Sequence, residues 1–127
     1  MHRVWLSGGL DAPAGARAAI DLLTVDHFDE RACEELRLLV SELVTNSVRH
    51  GGAGGRDASI ELTVVLSQSR LRLECADPLG GFDVLAPPPG HGLMLVEELS
   101  TAWGTRYGAD GSTWFEFDRN GGGAAPA

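Results

Sequence analysis

The chain has 127 residues, 43% of them hydrophobic and 22% charged, with a formal net charge of −8. That suffices for one domain with a real core and leaves too little for a second. The acidic balance argues against a direct nucleic-acid binder, which needs clustered cations to neutralise phosphates. All 10 basic side chains apart from histidine are arginine, a bias that genomic composition explains more simply than a demand for guanidinium. Any cationic contact to a phosphate must then come from Arg or from backbone N–H groups. No apolar run approaches the roughly 20 residues that span a bilayer, and Met1 to Ser7 lacks a signal-peptide core. The expectation is a cytoplasmic protein with no membrane partner.

In chain order, Val4-Trp5-Leu6 reads as a short strand, and Asp11-Ala12-Pro13 as an N-cap with a first-turn proline for an Ala-rich helix ending near Leu23. Asp29 caps the second and longest helix, Glu30 to about Arg49, whose acids Glu30, Glu34 and Glu35 lie near its positive end. At about 100° per residue, Leu36, Leu39, Val40, Leu43, Val44 and Val48 form one broad apolar sector. Glu42 and Asn46, four residues apart, share a line at its edge, where a helix lines a pocket. On this stretch alone, a capped amphipathic helix with a solvated Glu and Asn fits as well.

Gly51-Gly52-Ala53-Gly54-Gly55 ends that helix, and from Ala58 the period becomes two. Ile60, Leu62, Val64 and Leu66 alternate with Ser59, Glu61, Thr63 and Val65; after Ser67-Gln68-Ser69 the pattern resumes as Leu71, Leu73 and Cys75. This predicts an antiparallel hairpin with one buried face. Asp77-Pro78 stops the second strand, and the Gly- and Pro-rich stretch 79–92 reads as a functional loop. A helix over Leu93 to Leu99 begins directly behind Gly90-His91-Gly92. Two strands follow, Ala102 to Tyr107 and Ser112 to Asp118, and 119–127 reads as a disordered tail after a single domain over 1–118. Cys33 and Cys75 have neither metal-site nor disulfide-framework spacing and read as small buried hydrophobes. The element order predicts an α+β fold: a two-layer α/β sandwich, helices on one face of a mixed, mostly antiparallel sheet.

Three polar clusters stand out: Glu42 with Asn46 on a helix, Asp77 at a strand end, and Gly90-x-Gly92 at a helix start. Each alone has an ordinary explanation, yet their chemistry fits one ligand. A glycine-bounded helix start suits a phosphate; an Asn oxygen can complete Mg²⁺ coordination; a carboxylate can accept from an exocyclic amine such as that of adenine. Glu42, one turn from Asn46, is placed to take a proton from a group attacking the terminal phosphate.

The order Glu42-x-x-x-Asn46, Asp77 with a Gly-rich loop, then Gly90-x-Gly92-Leu93, resembles the GHKL superfamily of ATPases. The run Glu42 to Gly51, with Trp103-Gly104-Thr105 and Gly111-Ser112-Thr113-Trp114-Phe115, is similar to the stand-alone anti-sigma-factor serine/threonine kinase-like proteins of actinobacterial type. The likeness covers about Val4 to Asp118. It implies the Bergerat-type ATP-binding fold with ATP and Mg²⁺ as ligands. Glu42 would be the general base, Asn46 the Mg²⁺ ligand and Asp77 the adenine acceptor. Gly90 and Gly92 would lie on the phosphate side, flanked by Gly81, His91 and Leu93, with Arg49 bordering the same face.

The resemblance further implies a sigma factor or an anti-sigma-factor antagonist protein as partner, and a homodimer through the first strand and helix. Phosphate acceptance in trans is expected, since neither His2 nor His27 sits in a helical hairpin that could present it. The gyrase-like branch is not expected, because it needs a transducer domain for which no chain is left. Where the family has Asp-x-Gly-x-Gly, this chain has Asp77-Pro78-Leu79-Gly80-Gly81, and 82–89 forms a short lid ending in three prolines. That departure keeps open an alternative: a nucleotide-gated or nucleotide-independent module that sequesters its partner without kinase turnover.

Overall fold

The computed structural model describes residues 1–50, 59–76, 96–106 and 112–118. The chain begins with strand β1 (His2–Ser7), followed by helices α1 (Ala12–Thr24) and α2 (Glu30–His50). The hairpin β2 (Ser59–Ser67) and β3 (Arg70–Ala76) comes next, then a helical stretch described over 96–99, and strands β4 (Ala102–Arg106) and β5 (Ser112–Asp118). The strands form one sheet in the order β1-β2-β3-β5-β4, and each of its four pairings is antiparallel. The result is the expected α+β sandwich, with helices packed on one face of an open sheet.

Period-two alternation decides which sheet face is covered. The register places Leu62 opposite Cys75, Val64 opposite Leu73, Leu73 opposite Phe115 and Leu71 opposite Phe117. These seven side chains, with Ile60, form a continuous inner face, all within 2% of complete burial. Above them lies α2, whose Leu36, Leu39, Val40, Leu43 and Val44 are fully buried, while α1 contributes Ala12, Ala16 and Ile20. Each such Leu or Phe stabilises the fold by about 1.5–3 kcal/mol relative to exposure. Val48, at the edge of the α2 sector, is only partly buried.

The outer face stays wet. Trp5 is 63% exposed, and the ion pairs Arg3–Glu61 and Arg72–Glu116 cross strands on this side. Arg72 also lies 4.4 Å from the ring centroid of Trp114. That indole presses on β4, where a Cβ at Gly104 would fall 2.8 Å from its Nε1, so the backbone approach requires glycine.

The two helix starts differ. Asp29 Oδ1 accepts from the N–H of Ala32 at 2.8 Å, the cap expected from the sequence. Asp11 holds the N-cap position of α1 without a side-chain cap bond, which corrects the sequence reading. Its backbone is already in the right-handed helical region (φ −87, ψ −7), and Pro13 has removed one of the amides that a capping carboxylate would take. Both cysteines are thiols, Cys75 buried and Cys33 half-buried. Among the described residues no helix is long and apolar enough to cross a membrane.

Candidate functional site

The two ends of the sandwich differ in character. At one end the α1–α2 connection meets the hairpin turn: His27 Nδ1 lies 3.3 Å from the carbonyl of Gln68, and Phe28 packs edge-on against Phe117 at 5.7 Å. From there α2 runs 21 residues, about 31 Å at 1.5 Å per residue, to the opposite end. There its last turns meet the finish of β3 and the start of β5. Ser47 Oγ lies 3.6 Å from Cys75 Sγ, and Cys75 is paired with Thr113.

Glu42 and Asn46 lie on these last turns, one helical turn apart, as the spacing requires. Glu42 is half-buried, and Asn46 is 5% exposed. Among the described residues the Nδ2 of Asn46 has no hydrogen-bond partner. A buried donor left so costs about 1–3 kcal/mol, a cost that an acceptor supplied from outside the described residues would offset.

Arg49 lies on the final turn of α2, and its side chain is outside the described residues. Asp77, Gly81, Gly90, His91, Gly92 and Leu93 also lie outside them. Chain connectivity still carries information: β3 ends at Ala76, so Asp77 follows the strand end that Ser47 touches. The helical stretch at 96–99 supplies Val96 to the core, fully buried, with Glu97 and Glu98 exposed.

Thr113 was not picked out in the sequence. It is 1% exposed, and its Oγ1 has no partner among the described residues. It faces inward with Phe115 and Phe117, so a second orphaned polar group lies near the same end of the sheet. A threonine within an alternating strand gives no local signal of this; only the predicted motif Gly111-Ser112-Thr113 marks the neighbourhood. Its neighbour Ser112 turns the other way and donates to Glu74 Oε2 at 2.7 Å.

Among the described residues no cluster of three or more His, Cys, Asp or Glu is placed to hold a metal ion. A metal at this end would therefore have to share oxygens with a ligand, as Mg²⁺ does with phosphates. The residues present fit that arrangement: the Asn46 Oδ1 could ligate a metal while its unpartnered Nδ2 donates to a phosphate oxygen, and a half-buried carboxylate lies one turn away.

A family model for histidine kinase-like ATPase domains matches residues 12–114. The chain belongs to this family. Among curated proteins, the histidine kinase-like domain is 33% identical over 57 residues to "Serine-protein kinase RsbW" of Listeria monocytogenes serovar 1/2a (strain ATCC BAA-679 / EGD-e). It is equally similar to the proteins of that name from serotypes 4a (strain HCC23) and 4b (strain CLIP80459). The aligned stretch covers 45% of this chain and 36% of the first of these relatives, about a third of that protein's length.

Proposed function

We propose that this histidine kinase-like domain binds Mg-ATP and serves as an anti-sigma-factor-type regulator, transferring the γ-phosphate to a serine or threonine of an antagonist protein. The observation that carries the reading is the pairing, one helical turn apart, of half-buried Glu42 with buried Asn46, whose Nδ2 has no partner among the described residues. The family match and the likeness to serine-protein kinases support it.

In this reading residues 1–118 form the ATP-binding unit. The Asn46 carboxamide holds Mg²⁺ and a phosphate oxygen, and Asp77 accepts from the adenine amine. Backbone amides at Gly90, His91, Gly92 and Leu93 face the phosphates, with Gly81 and Arg49 at the margin. Mg²⁺, when bound, neutralises charge on the phosphates. The chain's own contribution is then to hold the nucleotide, to admit one hydroxyl in line, and to take its proton at Glu42 as the oxygen attacks. Exposed Trp5 on β1 and exposed Leu10 and Leu22 around α1 offer apolar surface for the expected self-association.

The decisive experiment incubates the protein with Mg-ATP and the antagonist or sigma-factor partner identified by pull-down. Wild type should phosphorylate the antagonist, and Glu42→Gln should bind nucleotide normally while losing at least about a hundredfold in rate, the usual scale of general-base catalysis. Equal transfer by both proteins would remove Glu42 from the role.

The second reading is a partner-sequestering module without turnover. It is favoured by one feature, Leu79 in place of the glycine in Asp77-Pro78-Leu79-Gly80-Gly81, where a side chain stands in the way of close backbone approach. Tight ATP binding with no transfer to any captured antagonist would select it.

A further inference from the structure

We propose that Ser47 and Cys75 form a positioning contact for the nucleotide site, holding the last turns of α2 on β3 so that the Asn46 carboxamide faces its ligand. The inference rests on the Mg-ATP reading above and adds residues to that site. Both side chains are 2% exposed, and the 3.6 Å between Oγ and Sγ is hydrogen-bonding distance for sulfur. The contact bridges the helix and the sheet directly. By contrast, Arg17 with Ser41, Thr24 with Cys33 and Arg37 with Asp21 bind α2 to α1.

The need for such a bridge follows from the packing around it. Leu36, Leu39, Val40, Leu43 and Val44 hold one apolar sector of α2 against the sheet, and that attraction is non-directional. A smooth apolar helix can rotate by a few degrees at little cost. One directional contact near its end sets the angle. Asn46 is the adjacent residue, so any rotation that lengthens Ser47–Cys75 swings its carboxamide by the same angle. Such a swing moves the Asn46 oxygen off its place, and Mg²⁺ demands near-ideal octahedral geometry at about 2.0–2.1 Å. The Nδ2, without a partner among the described residues on a side chain 5% exposed, is the independent sign that an acceptor such as a phosphate oxygen is awaited there. Cys75 also precedes Asp77 by two residues, so the same contact anchors the strand end that leads to the expected adenine acceptor.

The test compares wild type with Ser47→Ala, Cys75→Ala and Cys75→Ser. Titration calorimetry measures ATP affinity with Mg²⁺ and in its absence, and thermal melts of the ligand-free proteins confirm folding. Ser47→Ala and Cys75→Ala should weaken Mg-ATP about tenfold, the order of one lost polar interaction. ATP alone should change by less than about twofold on the same reasoning, since the metal imposes the tight geometry. Cys75→Ser, whose hydroxyl can still bond Ser47, should recover most of the loss. A purely structural role would weaken both forms of the nucleotide alike or neither, and it would not be rescued by Ser. Should Cys75→Ala fail to fold, Ser47→Ala carries the same comparison. Undiminished Mg-ATP affinity in Ser47→Ala, or equal losses with and without Mg²⁺, overturns the positioning role. Absence of Mg-ATP binding by wild type is a different result and overturns the nucleotide reading beneath it.

Discussion

Replacing Asn46 with Ala should separate a residue kept for a ligand from one kept for the fold. Asn46 is 5% exposed, and its Nδ2 has no partner among the described residues. Truncation relieves an unsatisfied donor worth about 1–3 kcal/mol. It also opens a cavity of at most roughly 30 Å³, costing about 0.7 kcal/mol at about 24 cal/mol per Å³. The ligand-free variant should therefore be as stable as wild type or more stable by up to about 2 kcal/mol. In a domain of this size each kcal/mol moves the melting temperature by about 3–5 °C. With nucleotide the order reverses. At a hundred times its dissociation constant, Mg-ATP stabilises wild type by about 2.7 kcal/mol, whereas a variant weakened a hundredfold gains only about 0.4 kcal/mol at the same concentration. Differential scanning fluorimetry with and without Mg-ATP reads both effects in one plate. A variant that loses about 2 kcal/mol without ligand yet keeps the full nucleotide shift would refute the reasoning, since Asn46 would then be a satisfied core polar group.

Three further outcomes follow from the packing. Thr113→Val removes a buried hydroxyl that lacks a partner among the described residues while conserving shape; urea denaturation should show equal or greater stability, and a loss above about 1 kcal/mol would mean that the hydroxyl is bonded after all. Gly104→Ala would place a Cβ 2.8 Å from Trp114 Nε1 and should cost about 1–3 kcal/mol by urea denaturation, with a shift in tryptophan emission, and the further loss on adding Gly104→Ala should shrink in a Trp114→Leu background. Asp29→Ala should lose about 1 kcal/mol, the worth of an N-cap, because its carboxylate bonds Ala32; Asp11→Ala should stay within about 0.5 kcal/mol of wild type, because no cap bond is made there.

The legible parts of this chain are those whose pattern is local. The hairpin of β2 and β3 could be read because one face meets apolar side chains and the other meets water, a contrast that repeats every second residue from Ile60 to Cys75. The α2 helix could be read because its apolar sector, its Asp29 cap and its first-turn Glu30 agree with one another. Asp11 misled because a cap depends on backbone angles and free amides as well as on residue type. Strand order was not legible: β5 enters between β3 and β4, a non-local pairing that leaves no trace in the alternation of any single strand. Thr113 was missed for a related reason, since its burial comes from neighbours distant in sequence.

By itself the sequence determined the elements, the one-turn pairing of Glu42 with Asn46, and a resemblance sufficient to place the chain in its family, because periodicity and motif spacing are properties of contiguous residues. Only the tertiary structure decided that Asn46 lies buried with its amide unmet, that Thr113 is a second orphan near the same end, and that Ser47 touches Cys75. Burial and hydrogen-bond satisfaction are set by what the rest of the chain brings against a residue, and at this end of the sandwich those neighbours come from α2, β3 and β5 together.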